Sequence, residues 1–389
     1  MGPLHGVLVA DFGRVLAAPY ATMLLADLGA DVVKVEAPGR GDDTRAWGPP
    51  WAPGQADGAV GDATYYLSVN RNKRSIDLDL ANPADRALAS ELARRADVVV
   101  ENLKPGGMAR YGLGYDDVVA TNPSVVYCSV TGFGSGAGAD LPGYDLLAQA
   151  VGGLMSITGP APGEPTKAGV AVVDVLTGLH ATVAVLAALH HRRSTGEGQR
   201  VEVNLLSCLL SSLANQSAAF AAAGVVPTIM GNRHPSVVPY ELYPTATEQI
   251  VLAVGNDRQF GALCAVLGLA GLAADERFSS NTARVANRDA LFDLLAGALR
   301  TRSADDWFAL LTPAGVPCGP VNDIAGAFAL AERLGLAPVA EVGGVRTVAN
   351  PATLSASPVT YRRPPPGLGE HAAELRAWLA AAPDRTAAG

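Results

Sequence analysis

Short apolar runs and longer amphipathic segments take turns along the first 130 residues. Val7–Phe12 reads as a strand, Tyr20–Leu28 as a helix stopped by Gly29, and Asp31–Glu36 as a second strand. Ser75–Leu80 predicts a third. Asn82 then supplies an N-cap, Pro83 a first helical residue and Asp85 a first-turn acid for a helix running to Arg95. Asp97–Asn102 follows as a strand, then one more helical segment, then the strand Ser124–Val130. Strand–helix–strand alternation predicts an α/β fold with a doubly wound, mostly parallel sheet. Ligands of such sheets bind beyond the carboxyl ends of the strands. Here those ends are Phe12–Leu16, Glu36–Arg40, Leu78–Leu80, Asn102–Lys104 and Thr131–Gly138, where polar residues and glycines gather.

The pattern changes further on. Pro49–Asp62 is a Pro/Gly/Ala loop, and Gly224–Pro244 is irregular. Ile250–Gly255 resumes strand character, followed by helices near Asp257–Leu267 and Arg288–Arg300. Val316–Pro320 and Pro358–Tyr361 read as further strands, and the last few residues as a frayed tail. Between Lys167 and Arg192 the only charge is Asp174, and between Glu202 and Arg233 there is none. Serines, Asn204, Asn215, Gln216, Thr177 and His180 interrupt these stretches. A membrane span would have to bury them all, so core helices are the better reading.

Composition narrows the class. Apolar residues make up 49% of 389, enough for a large core, which excludes disorder as the overall state. A net charge of −8 makes nucleic acid and anionic membranes poor partners, so any phosphate ligand needs a local basic patch. Cys128, Cys208, Cys264 and Cys318 form no CxxC pair, which argues against zinc or a disulfide framework and fits reduced thiols in the cytoplasm. The start carries no secretory signal pattern. Gly134–Ala139 fits a loose GxGxxA, but Pro142 and Gly143 follow where a dinucleotide site needs a helix, so a glycine turn is expected. Signatures of the common P-loop ATPases, serine hydrolases and zincins are missing.

Two basic groups sit at ends of neighbouring predicted strands: Arg71-Asn72-Lys73-Arg74, and Lys104 with Arg110. They read either as solvated turns or as a cradle for a polyanion. Asp174 is more informative, because a lone carboxylate in an apolar segment is costly unless partnered. It reads as the N-cap of a helix over Val175–His190, as a functional carboxylate, or as both. At a helix start the dipole is expected to keep it ionised, and an ionised, desolvated carboxylate can act as a nucleophile.

Several phrases carry a resemblance. Leu24–Glu36 (LLADLGADVVKVE), Gly41-Asp42-Asp43-Thr44-Arg45, Asn72-Lys73-Arg74-Ser75, Glu101-Asn102 with Pro105-Gly106, Gly143-Tyr144-Asp145, Gly315–Pro320 and Leu368–His371 resemble the class III CoA-transferases. That family includes formyl-CoA transferase and carnitine CoA-transferase, with alpha-methylacyl-CoA racemase as a relative. Gly41–Pro50, Tyr65–Arg74 and Ser236–Tyr240 resemble the succinyl-CoA:glutarate type most closely.

The resemblance implies a Rossmann-like large domain (residues 1–200 plus 330–389), a connecting helix (201–224) and a small domain (225–325), in an interlocked homodimer. It implies transfer of CoA from an acyl-CoA donor, succinyl-CoA, to a dicarboxylate such as glutarate. Coenzyme A enters as substrate, with no permanent cofactor and no metal. Catalysis falls on Asp174 and Tyr144. Ala17, Leu78, Asp79, Leu80, Asn102, Leu103, Lys104 and Arg110 are expected to bind CoA, and Arg45, Trp47, Gly231, Arg233 and His234 the acyl groups. Leu16 stands where formyl-CoA transferase has a glutamine, and Met230–His234 where it has a tetraglycine loop, which turns the reading away from formyl or oxalyl substrates. A 2-methylacyl-CoA racemase stays an alternative, although its acid/base histidine is Tyr144 here. A non-catalytic CoA-binding protein is the alternative from another class.

Overall fold

A computed structural model describes residues 1–53 and 60–381. The chain divides into two compact units, Met1–Leu154 with Ala168–Val225 and Ala337–Gly389, and Met155–Lys167 with Val226–Leu336. Part of the Pro49–Asp62 loop and the terminal tail lie outside the described residues.

The larger unit is built on β1 (Leu8–Phe12), β2 (Asp31–Glu36), β3 (Lys73–Asp77), β4 (Val98–Glu101), β5 (Val126–Thr131) and β6 (Gln199–Asn204). They form one sheet in the order β3-β2-β1-β4-β5-β6, every pair parallel. The apolar run of β4 and the Val9-Ala10 and Val32-Val33 pairs of β1 and β2 follow from burial on both faces, while Asp11 and Lys34 are buried charges within the same strands. On one face Phe12, Val33, Ile76 and Val99 meet Leu92 and Leu375. On the other Val9, Val32, Val98 and Val100 meet Ala21, Leu25, Ala181 and Val185. The second face is covered by α1 (Ala17–Asp27) and the first by α2 (Pro83–Arg95). Asn82 caps α2 as its sequence predicts, its side chain accepting from Ala84 and Asp85 N–H.

Later in the chain come α3 (Asp145–Val151) and the long α4 (Val172–Thr195). By length and composition α4 could cross a membrane, yet it lies against α1, β5 and β6. Gly178 permits that approach, since a Cβ there would sit 2.7 Å from the Ala17 carbonyl oxygen.

Several expectations need correction. The third strand begins at Lys73 rather than Ser75, so Lys73 and Arg74 belong to it. Residues 201–224 do not form one helix. They finish β6 and continue as α5 (Leu205–Ser212) and α6 (Asn215–Ala223), bent by 88° at the left-handed Ala214. Pro358–Tyr361 is not a strand, and the hairpin Val339–Val342/Val345–Val348 went unpredicted.

The smaller unit carries an antiparallel sheet of β7 (Tyr240–Pro244), β8 (Gln249–Ala253) and β9 (Cys318–Pro320), with β8 central. Tyr243, Ile250, Leu252, Phe260, Leu291, Leu295 and Trp307 fill its own core.

Candidate active site

Strand order reverses between β1 and β4, so the loops after these strands part and leave a crevice at their carboxyl ends. Two cavities lie there. One, of about 240 Å³, is lined by Ala17, Trp47, Asn102, Leu103, Lys104, Tyr144 and Asp174. The other, of about 480 Å³, is lined by Leu78, Asp79, Leu80, Leu103, Lys104 and Arg110. Arg14, Leu103 and Lys104 border both, so the two adjoin. The structure therefore gathers the catalytic and CoA-binding candidates of the larger unit into one bilobed crevice.

Asp174 lies in the first turn of α4, three residues beyond the N-cap Ala171, so it is not the cap. Asp145 does that work from α3: its Oδ1 accepts the N–H of Val173 at 2.7 Å and of Asp174 at 3.1 Å. Gln149 donates to the other Asp145 oxygen and accepts the Ala168 N–H at 2.8 Å. The expectation that Asp174 stays fully ionised is also corrected. Burial, and then the nearby Asp145 carboxylate, push its pKa up to about 7. These effects outweigh the helix dipole.

Tyr144 is exposed at the start of α3 and borders the same cavity. Tyr65 was not singled out from sequence. Burial, then the negative charges of Asp174, Asp145 and Asp42, push its phenol up to about 12, so it stays neutral. Its ring meets Trp47 edge-on at 5.4 Å. The tyrosine pair in the Tyr65–Arg74 phrase was the available signal.

Among the substrate candidates, Arg45 is engaged elsewhere, and Gly231, Arg233 and His234 belong to the smaller unit. Arg45 does not border the cavity. Its guanidinium donates to both Glu36 oxygens at 2.8 Å, to Asp62, to the Tyr66 hydroxyl and to the Pro366 carbonyl. Arg233 belongs to the smaller unit and pairs with Glu241 at 3.1 Å and Asp289 at 2.8 Å. His234, in the same unit, accepts the Ser236 N–H through Nδ1, and Gly231 adopts φ +62°.

The basic run Arg71–Arg74 is not a polyanion cradle. Arg71 and Lys73 are buried on Asp27 and Asp11, and Arg74 reaches Asp31. Lys104 and Arg110 stay exposed at the second cavity. The turn after Thr131 does use a left-handed glycine, Gly134 at φ +84°. Among the described residues no cluster suits a metal ion.

A parallel sheet in this order, with a half-buried carboxylate beside a cavity at its switch point, is the arrangement of an α/β ligand-binding fold. The sequence model of CoA-transferase family III matches residues 4–372, and the chain belongs to that family. It is thus an enzyme of the CoA-transferase class. It is 46% identical to a succinate–glutarate CoA-transferase of Agrobacterium fabrum, over 97% of this chain and 96% of the relative. Human succinyl-CoA:glutarate CoA-transferase is 41% identical, over 96% and 85%. A crystal structure of a CAIB/BAIF family protein from Brucella suis superposes with a TM-score of 0.87 at 42% identity, over 97% of this chain and 99% of that one.

Proposed function

We propose that this enzyme moves CoA from succinyl-CoA to glutarate through covalent intermediates on Asp174. The observation that carries the reading is the position of Asp174, half-buried at a switch-point cavity that opens into a second, larger one. The identity to glutarate-type relatives supports the choice of acids. The nucleotide of CoA occupies the larger cavity, against Leu78–Leu80, with Lys104 and Arg110 available to its phosphates. The pantetheine arm runs past Leu103 to Asp174.

The ionised Asp174 carboxylate attacks the thioester carbonyl. A C–O bond forms, the C–S bond breaks, and CoA leaves as thiolate from a mixed anhydride. The thiolate then attacks the Asp174 carbonyl, giving an aspartyl-CoA thioester and free succinate. Glutarate attacks that thioester, and a second exchange returns glutaryl-CoA and the free carboxylate. Each step replaces a harder direct transfer. The N–H groups of Ala17 and Ala18 open α1 without a side-chain cap and are our candidates for the oxyanions. Tyr144 and Tyr65 orient the reacting carbonyls. No permanent cofactor takes part.

A desolvated carboxylate with a pKa near 7 puts the acid limit of activity near neutral pH. The reactive anion is lost as pH falls through about 7 and gained as it rises. In Asp145→Asn the amide oxygen can still accept the α4 N–H groups, while the like charge is gone. The acid limb of kcat/KM should therefore move to lower pH, as measured over pH 5–9 with succinyl-CoA varied. An unmoved limb removes Asp145 as a cause.

With Arg45 held by Glu36 and Lys104 given to the CoA phosphates, Arg14, which borders the Asp174 cavity and pairs only with the part-exposed Asp43 at 3.5 Å among the described residues, is our candidate to meet the second carboxylate of the acceptor. Glutarate should exceed butyrate and valerate in kcat/KM by at least ~10-fold, about 1.4 kcal/mol at the transition state. Equal use of monoacids and diacids would remove the dicarboxylate assignment and leave CoA transfer standing.

Leu146, Val151, Leu179, Val183 and Phe220 present apolar side chains on this chain. We read them as the surface a second copy covers in an interlocked homodimer. A cytoplasmic location fits the four free thiols.

A further inference from the structure

The turn that follows β1 is held in an unusual way. Val15 sits at φ +67°, a left-handed conformation that is an outlier for a β-branched residue. The backbone groups around it bond to side chains rather than to other backbone. Gly13 N–H donates to Asp11 Oδ1 at 2.9 Å, and Lys34 Nζ donates to the Gly13 carbonyl at 2.8 Å. Asn102 accepts from the Arg14 N–H at 2.8 Å and donates to the Arg14 carbonyl at 2.7 Å. Val15 N–H is shared between the two Asp42 oxygens at 3.2 and 3.3 Å.

Three of these four side chains are almost fully enclosed: Asp11 and Lys34 at 0% exposure and Asp42 at 2%. Lys34 and Asp42 also pair with each other at 2.9 Å. Burial pulls the Lys34 ammonium toward neutrality, but Asp42, Asp11 and Glu36 together outweigh it and hold its pKa above the usual value. Gly13 has no room for a side chain, since a Cβ would lie 2.6 Å from the Ala18 Cβ. Gly13 and Arg14 border the larger cavity, Arg14 and Val15 the smaller, and Leu16 and Ala17 follow at once into α1.

A buried ion pair is a poor way to gain stability, since well-packed apolar residues of similar volume often do as well. Strain that the surroundings over-determine beside a reacting group suits pre-organisation better. We propose that Lys34 and Asp42 are positioning residues for transfer: they clamp the Gly13–Val15 turn in its left-handed bend and so aim the first amides of α1 at the carbonyl that Asp174 attacks. This rests on the functional reading above, in which the Ala17 amide meets that carbonyl. Neither side chain need touch the reacting atoms, and the clamp acts through the backbone.

The test combines removal of the clamp with relief of the strain. Asp42→Asn weakens the hold on Val15 but strands the Lys34 charge. The double variant Lys34→Met/Asp42→Leu therefore accompanies it, replacing the pair with apolar volume so that the fold persists. Both should lower kcat by at least ~30-fold, the scale of an ångström-sized misplacement. Amide exchange across residues 12–18 should quicken in both. Adding Val15→Gly, which adopts the bend without strain, should recover at least ~5-fold of the lost kcat in either background. A purely structural pair would show the reverse, because another packing deletion only weakens the fold.

A kcat within ~3-fold of wild type in the double variant overturns the proposal, as does a loss that Val15→Gly does not relieve. Should the wild-type protein transfer CoA to no acid, the functional reading fails. The clamp is then judged on exchange alone, and unchanged protection over residues 12–18 overturns it.

Discussion

Asp174→Asn protein should keep its fold and bind acyl-CoA, while CoA transfer falls by at least ~10³-fold, as for loss of other covalent nucleophiles. The amide has the shape of the carboxylate but lacks the anionic oxygen that attacks the thioester to form the anhydride. The structure makes the substitution a clean one. Asp174 sits in the first turn of α4, where Asp145 rather than its own side chain accepts the helix N–H groups. Its ionised form is opposed by burial and by Asp145. A neutral amide removes both penalties, so thermal stability should hold or rise. Single-turnover kinetics with succinyl-CoA, alongside a CoA-binding isotherm, separates lost chemistry from lost binding.

Asp27→Ala should cost about 3–5 kcal/mol of stability, the range for breaking one partner out of a buried ion pair. Asp27 is wholly enclosed near the end of α1. It accepts from Arg71 at 2.6 and 3.0 Å, from Asn72 at 2.8 Å and from Asn350 at 3.0 Å. Removing it leaves a guanidinium that is 3% exposed with the Thr347 hydroxyl and the Val348 carbonyl as its hydrogen-bond partners among the described residues. Arg74→Ala is the control, because its partners Asp31 and Glu374 are about half exposed, and it should cost under about 1 kcal/mol. Urea titration read by fluorescence checks both. Trp47, Trp51 and Trp378 report the larger unit and Trp307 the smaller, so the early transition should belong to the first three. A midpoint unmoved in Asp27→Ala contradicts this account of the core.

Much of the larger unit is legible in the residue pattern, for a physical reason. Burial on both faces makes β4 and the centres of β1, β2 and β5 largely apolar, and Asn82-Pro83 marks a helix start by local chemistry alone. Asp174 was legible too, as one carboxylate in an apolar helix. Its protonation was not, because the decisive neighbour, Asp145, lies 29 residues upstream on another helix. The basic run Arg71–Arg74 was misread for a similar cause. Its partners Asp11 and Asp27 come from the start of the chain, and only the fold turns these charges inward. Arg45 was assigned to substrate, yet Glu36, Asp62 and Pro366 consume its donors, the last from over 300 residues away. The Val15 bend left no trace at all, since valine is among the last residues a turn pattern would name.

The most direct test of the covalent account is chemical trapping at Asp174. Wild-type protein mixed with succinyl-CoA and then hydroxylamine should carry a hydroxamate on the peptide containing Asp174. The label should be absent without acyl-CoA and absent in Asp174→Asn. Turnover by the wild-type enzyme with no hydroxamate at Asp174 would contradict a covalent aspartyl intermediate, and with it the mechanism proposed here.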